Sequence, residues 1–111
     1  MKLIPLILAA SLFAGMANAE DMAGMADPAM KPLMQPMDAM MKAMPMTSTG
    51  KPDADFLLMM IPHHQSAIDM AKVELAHGKD DATRAMAQKI IDAQVAEIAE
   101  MEAMLKAMGV K

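Results

Sequence analysis

The residues best suited to chemistry lie in one short stretch in the middle of the chain. All three histidines of the sequence fall there, among several methionines. On a helix, residues three or four apart share a face, so that Met60 can meet both His63 and His64. His63, Met70 and His77 recur every seven residues and would follow one stripe of the helix. Imidazole nitrogens and thioether sulfurs gathered in this way are ligands for a soft metal ion.

A second group of methionines precedes this stretch and also has helical spacing. Its members lie between two prolines: Met37, Met40, Met41 and Met44. A short helix has no packing reason to use only methionine as its large apolar residue, so we expect these thioethers to be ligands as well. The chain has eighteen methionines and no cysteine. Thioethers therefore replace thiolates as its sulfur donors, and they need no deprotonation.

The donor set predicts the metal. Thioether-rich sites select Cu(I) or Ag(I), and histidine nitrogen lets such a site also hold Cu(II). Zinc would require cysteine or more histidine. Calcium and magnesium would require clustered carboxylates and carbonyls. The acidic residues of this sequence are not arranged in such a cluster. We therefore expect a copper site that also takes silver.

Each candidate ligand also has an interpretation without metal. Adjacent helical residues point about 100° apart, so that one histidine of the pair would face the core and bond Gln94 or Glu97 while the other is exposed. His77 would complement the helix dipole near a helix end. Methionines of the last helix have the spacing of core residues. These alternatives stay open at the level of sequence.

The first residues of the chain predict export. A basic start at Lys2 is followed by an apolar run and by small residues up to Ala19, which is the pattern of a cleaved signal peptide. The run is shorter than the roughly 20 residues that span a bilayer. The net charge is −4 and basic residues are scattered, which disfavours nucleic acid and a membrane surface as partners. We expect a periplasmic or secreted protein.

Three parts are expected along the chain: a signal peptide at 1–19, a flexible leader rich in Met and Pro at 20–36, and a helical metal-binding domain at 37–111. Within the domain we predict a short helix at 37–44, followed by two long amphipathic helices joined by a tight turn. This is an all-α fold, an antiparallel helical hairpin with a short N-terminal helix. Two long helices and a short one bury little surface. We therefore expect the hairpin to form a four-helix bundle, completed by the short helix or by a homodimer.

Capping residues set the expected helix boundaries. Asp53 or Asp55 would cap the first long helix, and Asp80 or Asp81 would cap the second. Gly78 suits a left-handed cap at the end of the first. Pro62 would either bend that helix or restart it, next to the two adjacent histidines.

The core sequence Met-Ile-Pro-His-His-Gln at 60–65, with its flanks from Asp55 to Ala71, resembles the family called domain of unknown function 305. The turn at 78–80 and residues 94–101 fit the same family, and the resemblance covers about 45–105. It implies an exported, ferritin-like bundle of helices that binds copper and silver. The ligand positions that it implies are Met60, His63, His64, Met70 and Met101.

The expected function is to buffer or carry copper in the periplasm and so to contribute to metal tolerance, without catalysis. A copper exporter or another periplasmic copper protein would exchange the metal with it. Two other classes stay open. Glu74 and His77 form one Glu-x-x-His unit, which ferritin-like di-iron enzymes use twice together with two further glutamates. Such a site would require a dimer, with Glu97 or Glu100 facing inward. A helical interaction or chaperone-like protein would use methionine as an adaptable surface.

Overall fold

The computed structural model describes residues 27–111, which form three helices joined by short loops. Helix α1 spans Lys31–Ala43, α2 spans Pro52–His77 and α3 spans Asp81–Ala107. Within that range there is no strand and no helix long and apolar enough to cross a membrane. The predicted all-α fold, with a shorter helix before two long ones, is confirmed. The predicted signal peptide, 1–19, lies outside the described residues.

Helices α2 and α3 run antiparallel and pack on each other along their length. Near the open end, the Lys51 ammonium donates to the Met108 carbonyl at 3.1 Å. Near the turn, the Arg84 guanidinium donates to the Leu75 carbonyl at 2.6 Å. These contacts at both ends define the register of the pair, and the predicted helical hairpin is confirmed.

The turn of the hairpin depends on an aspartate cap and a glycine. The Thr83 hydroxyl and amide donate to the Asp80 carboxylate at 2.7 and 2.8 Å, and these bonds lower the pKa of Asp80. Gly78 ends α2 with φ −68° in an extended conformation, so the predicted left-handed cap is wrong. Glycine is suited to this position for another reason, since a Cβ there would lie 2.7 Å from the Glu74 carbonyl oxygen.

Prolines interrupt the helices less than the sequence suggested. Helix α1 begins at Lys31, so residues 31–36 of the predicted leader, 20–36, are helical, whereas 28–30 form a turn. Pro32 lies in the first turn, where a missing N–H costs no helical hydrogen bond. Pro36 lies inside α1 and is its one buried residue, so packing of its ring opposes the lost hydrogen bond. Helix α2 likewise continues through Pro62, so a restart there is wrong.

The start of α2 differs from the expected cap. Lys51 occupies the N-cap position without a side-chain bond, whereas Asp53 and Asp55 lie in the first turn. The Asp55 carboxylate instead organises the loop before the helix. The Ser48 hydroxyl donates to it, and the Thr49 amide donates at 2.7 Å. Both bonds lower the pKa of Asp55, and the bond from Ser48 has the larger effect.

The hydrophobic core is small for three helices. Its buried apolar members are Ala54, Leu57, Ile68, Ala71, Ala87, Met101 and Leu105. No large side chain in the described part of the chain is fully buried. Helix α1 packs mainly on α2 rather than on α3, so these three helices do not close a four-helix bundle. The ferritin-like bundle and the homodimer remain predictions.

Candidate metal site

The histidine pair lies in the middle of α2, and one of its members faces α3. The half-buried His64 ring has its Nδ1 2.9 Å from the Met60 carbonyl oxygen, one turn earlier. Its Nε2 lies 2.7 Å from a carboxylate oxygen of Glu97 on α3. Because a carbonyl oxygen can only accept, Nδ1 is the nitrogen that carries hydrogen and donates. The ring is therefore held by both helices, with Nε2 directed at the carboxylate.

His64 lines a groove of about 310 Å³ between α2 and α3, called here the His64 groove. Two carboxylates and two apolar side chains also line it: Glu97, Glu100, Phe56 and Leu57. Its sulfur donors come from both helices: Met60, Met101 and Met104. One imidazole and three thioethers thus share this groove. That donor set suits a soft metal ion.

The core supports one wall of the groove. Met101 is only 8% exposed and belongs to the buried cluster with Leu57 and Leu105. Met60 is half-buried and packs against the same cluster. Met104 is 43% exposed and lies toward solvent. The groove therefore combines sulfur fixed by packing with sulfur that is free to change rotamer.

His63 is separate from this arrangement. It is exposed, its ring centroid lies 6.2 Å from that of His64, and the two ring planes are inclined at 60°. The separation follows from the rotation between adjacent helical residues, since α2 continues through Pro62. One histidine bonded to Glu97 and one exposed is the arrangement expected for this pair without metal.

The seven-residue stripe of α2 does not form one site. Met70 lines a second groove between α2 and α3, of about 330 Å³, together with Met86. His77 lines a third groove with Pro32 of α1. Seven residues of helix extend about 10 Å, which is too far for one ion to contact two neighbours of the stripe. His63, Met70 and His77 therefore occupy three surfaces.

The methionines of α1 are also apart from the His64 groove, since none of them lines it. Met37 and Met41 are 40% and 66% exposed, whereas Met40 and Met44 are half-buried. Helix α1 packs on α2 through Pro36 and its neighbours. The predicted ligands are thus distributed over three helices, and only Met60, His64 and Met101 meet in one groove.

Helix α3 contributes partners of His64 that the histidine and methionine pattern of α2 does not indicate. Glu97 precedes Met101 by four residues and Met104 follows it by three, and this spacing could have indicated a shared face. Gln94 lies one turn before Glu97, and its buried Oε1 has no hydrogen-bond partner among the described residues. No three His, Asp or Glu side chains within 27–111 converge as ligands. Beside His64, the groove offers three thioethers as further donors.

Fold and groove together define a small helical protein whose two longest helices share a groove of thioether, imidazole and carboxylate groups. The chain belongs to the family described as a domain of unknown function (DUF305), whose sequence model matches residues 9–105. The match confirms the resemblance carried by the motif at 60–65 and extends it toward the N-terminus. No curated protein matches the chain. The family description names no activity, so function has to be argued from the site.

Proposed function

We propose that this protein binds Cu(I) or Ag(I) reversibly in the His64 groove and so buffers or carries soft metal ions outside the cytoplasm. One observation carries the proposal. Two helices bring Met60, Met101 and Met104 to the same groove as an imidazole whose orientation is already fixed. Neutral sulfur and nitrogen donors of this kind favour soft monovalent ions over calcium, magnesium or zinc.

The hydrogen bonds of His64 favour metal binding through Nε2. Metal-binding histidines usually donate their other ring N–H to a carbonyl or carboxylate, which fixes the tautomer and the ring plane. The Met60 carbonyl accepts such a bond from Nδ1 at 2.9 Å. Nε2 then contacts Glu97, whose side chain is 55% exposed and has room to turn aside. A cation bound at Nε2 would lie between the ring and this carboxylate and replace their direct contact.

The methionines fit a buffering role better than a structural one. Met101 is fixed in the core, whereas Met60 and Met104 border the open groove. A site with a solvent-open side and flexible thioethers exchanges its ion more readily than a closed tetrahedral site. Exposed Met37 and Met41 on α1 would add weaker binding capacity. A copper exporter or another periplasmic copper protein would then receive the ion.

The described part of the chain gives less support to a di-iron enzyme. Glu74 and His77 line one groove near the turn. The second groove contains Glu74 of α2 and extends along α3 as far as Ile90. Glu97 lies seven residues beyond Ile90, about 10 Å farther along the helix. One hairpin therefore does not bring Glu97 to the Glu-x-x-His unit. We propose a binding protein without catalytic activity.

Competitive titration with a chromophoric Cu(I) chelator, under reducing conditions, tests the proposal. The chain without its predicted signal peptide should bind Cu(I) far more tightly than free methionine does. Met60→Leu and His64→Gln should each weaken binding at least about tenfold, because each removes a donor and keeps the approximate side-chain size. Met59→Leu is the matched control, since Met59 is 49% exposed and lies outside the His64 groove.

Two results would contradict the proposal. The first is wild-type affinity no higher than that of free methionine. The second is equal affinity for wild type, Met60→Leu and His64→Gln, which would move the metal to other methionines. If metal also changes neither helicity nor melting temperature, a chaperone-like surface becomes the better explanation of the methionine content.

A further inference from the structure

The α2–α3 hairpin has an apolar face that the described helices leave open. It contains the His64 groove and the second groove, and its large apolar members are Phe56, Met60, Met70, Met86 and Met104. Their spacings along each helix are sums of three and four residues, so they lie on one side of the hairpin. Helix α1 packs mainly on α2 and reaches this side only with Leu33. These five residues and the two grooves are called the hairpin face.

The large apolar side chains of the hairpin face are open to solvent. Phe56 is 61% exposed, Met86 56%, Met104 43% and Met70 36%. Monomeric soluble proteins rarely expose contiguous apolar patches larger than a few hundred Å². The core beneath it contains no fully buried large side chain within 27–111. The three described helices thus leave large apolar side chains exposed on one face while burying few of that size in their core.

We propose that a second copy of this chain covers the hairpin face, so that two hairpins form a four-helix bundle. The four exposed large side chains present on the order of 350 Å² per copy, and the smaller residues between them roughly double this area. Two copies would then bury on the order of 1,400 Å², in the lower half of the range for stable interfaces. The area therefore suits a reversible dimer.

The charges of the face favour one arrangement of the two copies. Glu97 is level with His63 and His64 along the antiparallel hairpin, and it bonds His64. A two-fold axis parallel to the helices would set α2 of one copy against α3 of its partner at the same height. The exposed His63 would then lie opposite the partner's Glu97, so that each carboxylate faces two imidazoles. An axis across the helices would instead bring the two Glu97 carboxylates together, which is unfavourable.

The dimer goes beyond the proposed function, because apolar contact forms it without metal. In the dimer the His64 groove would be covered and water excluded from Met60 and Met104, so that ion exchange through the open side would take place in the monomer that a reversible dimer releases. A polar interaction strengthens when water is removed from around it. Association and metal binding can be measured separately, so that either idea can fail while the other holds.

Sedimentation equilibrium of residues 20–111 in a chelating buffer, at micromolar concentrations, tests the dimer. The wild-type chain should have the mass of two copies. Phe56→Glu and Met86→Glu should have the mass of one copy, with helicity retained by circular dichroism, since both side chains are more than half exposed. Val95→Glu is the control: Val95 is 53% exposed but lines neither groove of the face, and this variant should remain dimeric.

Cross-linking gives a second test that does not depend on the glutamate variants folding. The chain contains no cysteine, so single cysteines report specific contacts. An Ala67→Cys chain mixed with an Ala93→Cys chain should form heterodimers with a short bis-maleimide, whereas Ala99→Cys, on another side of α3, should not. A wild-type mass of one copy at every concentration would overturn the proposal. So would cross-linking that is equal at Ala93→Cys and Ala99→Cys.

Discussion

Replacing Met101 by leucine separates its sulfur from its packing. Met101 is 8% exposed and packs in the cluster with Leu57 and Leu105. Truncating its side chain should therefore lower the free energy of unfolding. Met101→Ala should cost about 2–5 kcal/mol of stability through the cavity that it leaves. Met101→Leu nearly conserves volume and should cost less than about 1.5 kcal/mol. The leucine variant therefore keeps the wall of the groove and removes only the donor atom.

The metal-dependent effect of the same substitution follows from linkage. At a free ion concentration about 100 times Kd, binding stabilises the folded state by about 2.7 kcal/mol. In a domain of this size that raises Tm by roughly 10–20 °C. Loss of one donor weakens binding at least about tenfold, or about 1.4 kcal/mol. Met101→Leu should therefore roughly halve the rise in Tm.

Thermal melting followed by circular dichroism, with and without Ag(I) in chloride-free buffer, measures both effects on one sample. Ag(I) is a soft monovalent ion like Cu(I) and needs no reductant. Met59→Leu should show the full rise in Tm, since Met59 lies outside the His64 groove. A full rise in Met101→Leu as well would refute the assignment of Met101 as a ligand and leave it as a core residue only.

Three further predictions concern the fold. Leu105→Ala, at a position 5% exposed, should cost about 2–5 kcal/mol in chemical denaturation; a cost as small as that of Met104→Ala would contradict the assigned core. Pro62→Ala should raise Tm, because it restores a helical N–H worth about 1–3 kcal/mol; a lower Tm would mean that the ring is needed for packing. Hydrogen bonds from Thr83 lower the pKa of Asp80 from its ordinary 3.8, so its stabilising contribution is present above that value and is lost as the pH falls through the lowered pKa. Asp80→Asn, which keeps the cap but does not titrate, should flatten the loss of stability below about pH 4; a curve with the wild-type slope would exclude this contribution.

Much of the fold could be predicted because long amphipathic helices have apolar residues at regular intervals of three and four. The stripes of α2 and α3, the Asp80 cap and the short turn between them were sufficient to predict the hairpin. The start of α1 was missed because the recurrence of proline at 28, 32 and 36 was taken to exclude a regular helix before Pro36. Pro32 lies in the first turn, where proline is tolerated, and the buried Pro36 ring packs against a neighbouring helix. Position within the helix, rather than the number of prolines, decided the outcome.

The candidate site was only partly predictable. Met60 and His64 lie four residues apart on one helix, so sequence sufficed to bring them together. The contribution of Met101 came from the family motif, and that of Glu97 depends on the register between two helices, which periodicity does not fix. His63, Met70 and His77 follow a regular repeat, yet a rise of about 1.5 Å per residue spreads them along α2. Residues that point to the same side of a helix can therefore still be too far apart to bind one ion.

X-ray absorption at the copper edge of the Cu(I)-loaded protein identifies the donor atoms that surround the ion. An ion bound in the His64 groove should have a coordination shell of sulfur with nitrogen from one imidazole. The sulfur contribution should fall in the Met60→Leu and Met101→Leu variants but persist unchanged in Met59→Leu. A shell of oxygen and nitrogen without sulfur would contradict this prediction, and so would a sulfur shell that is the same in all three variants.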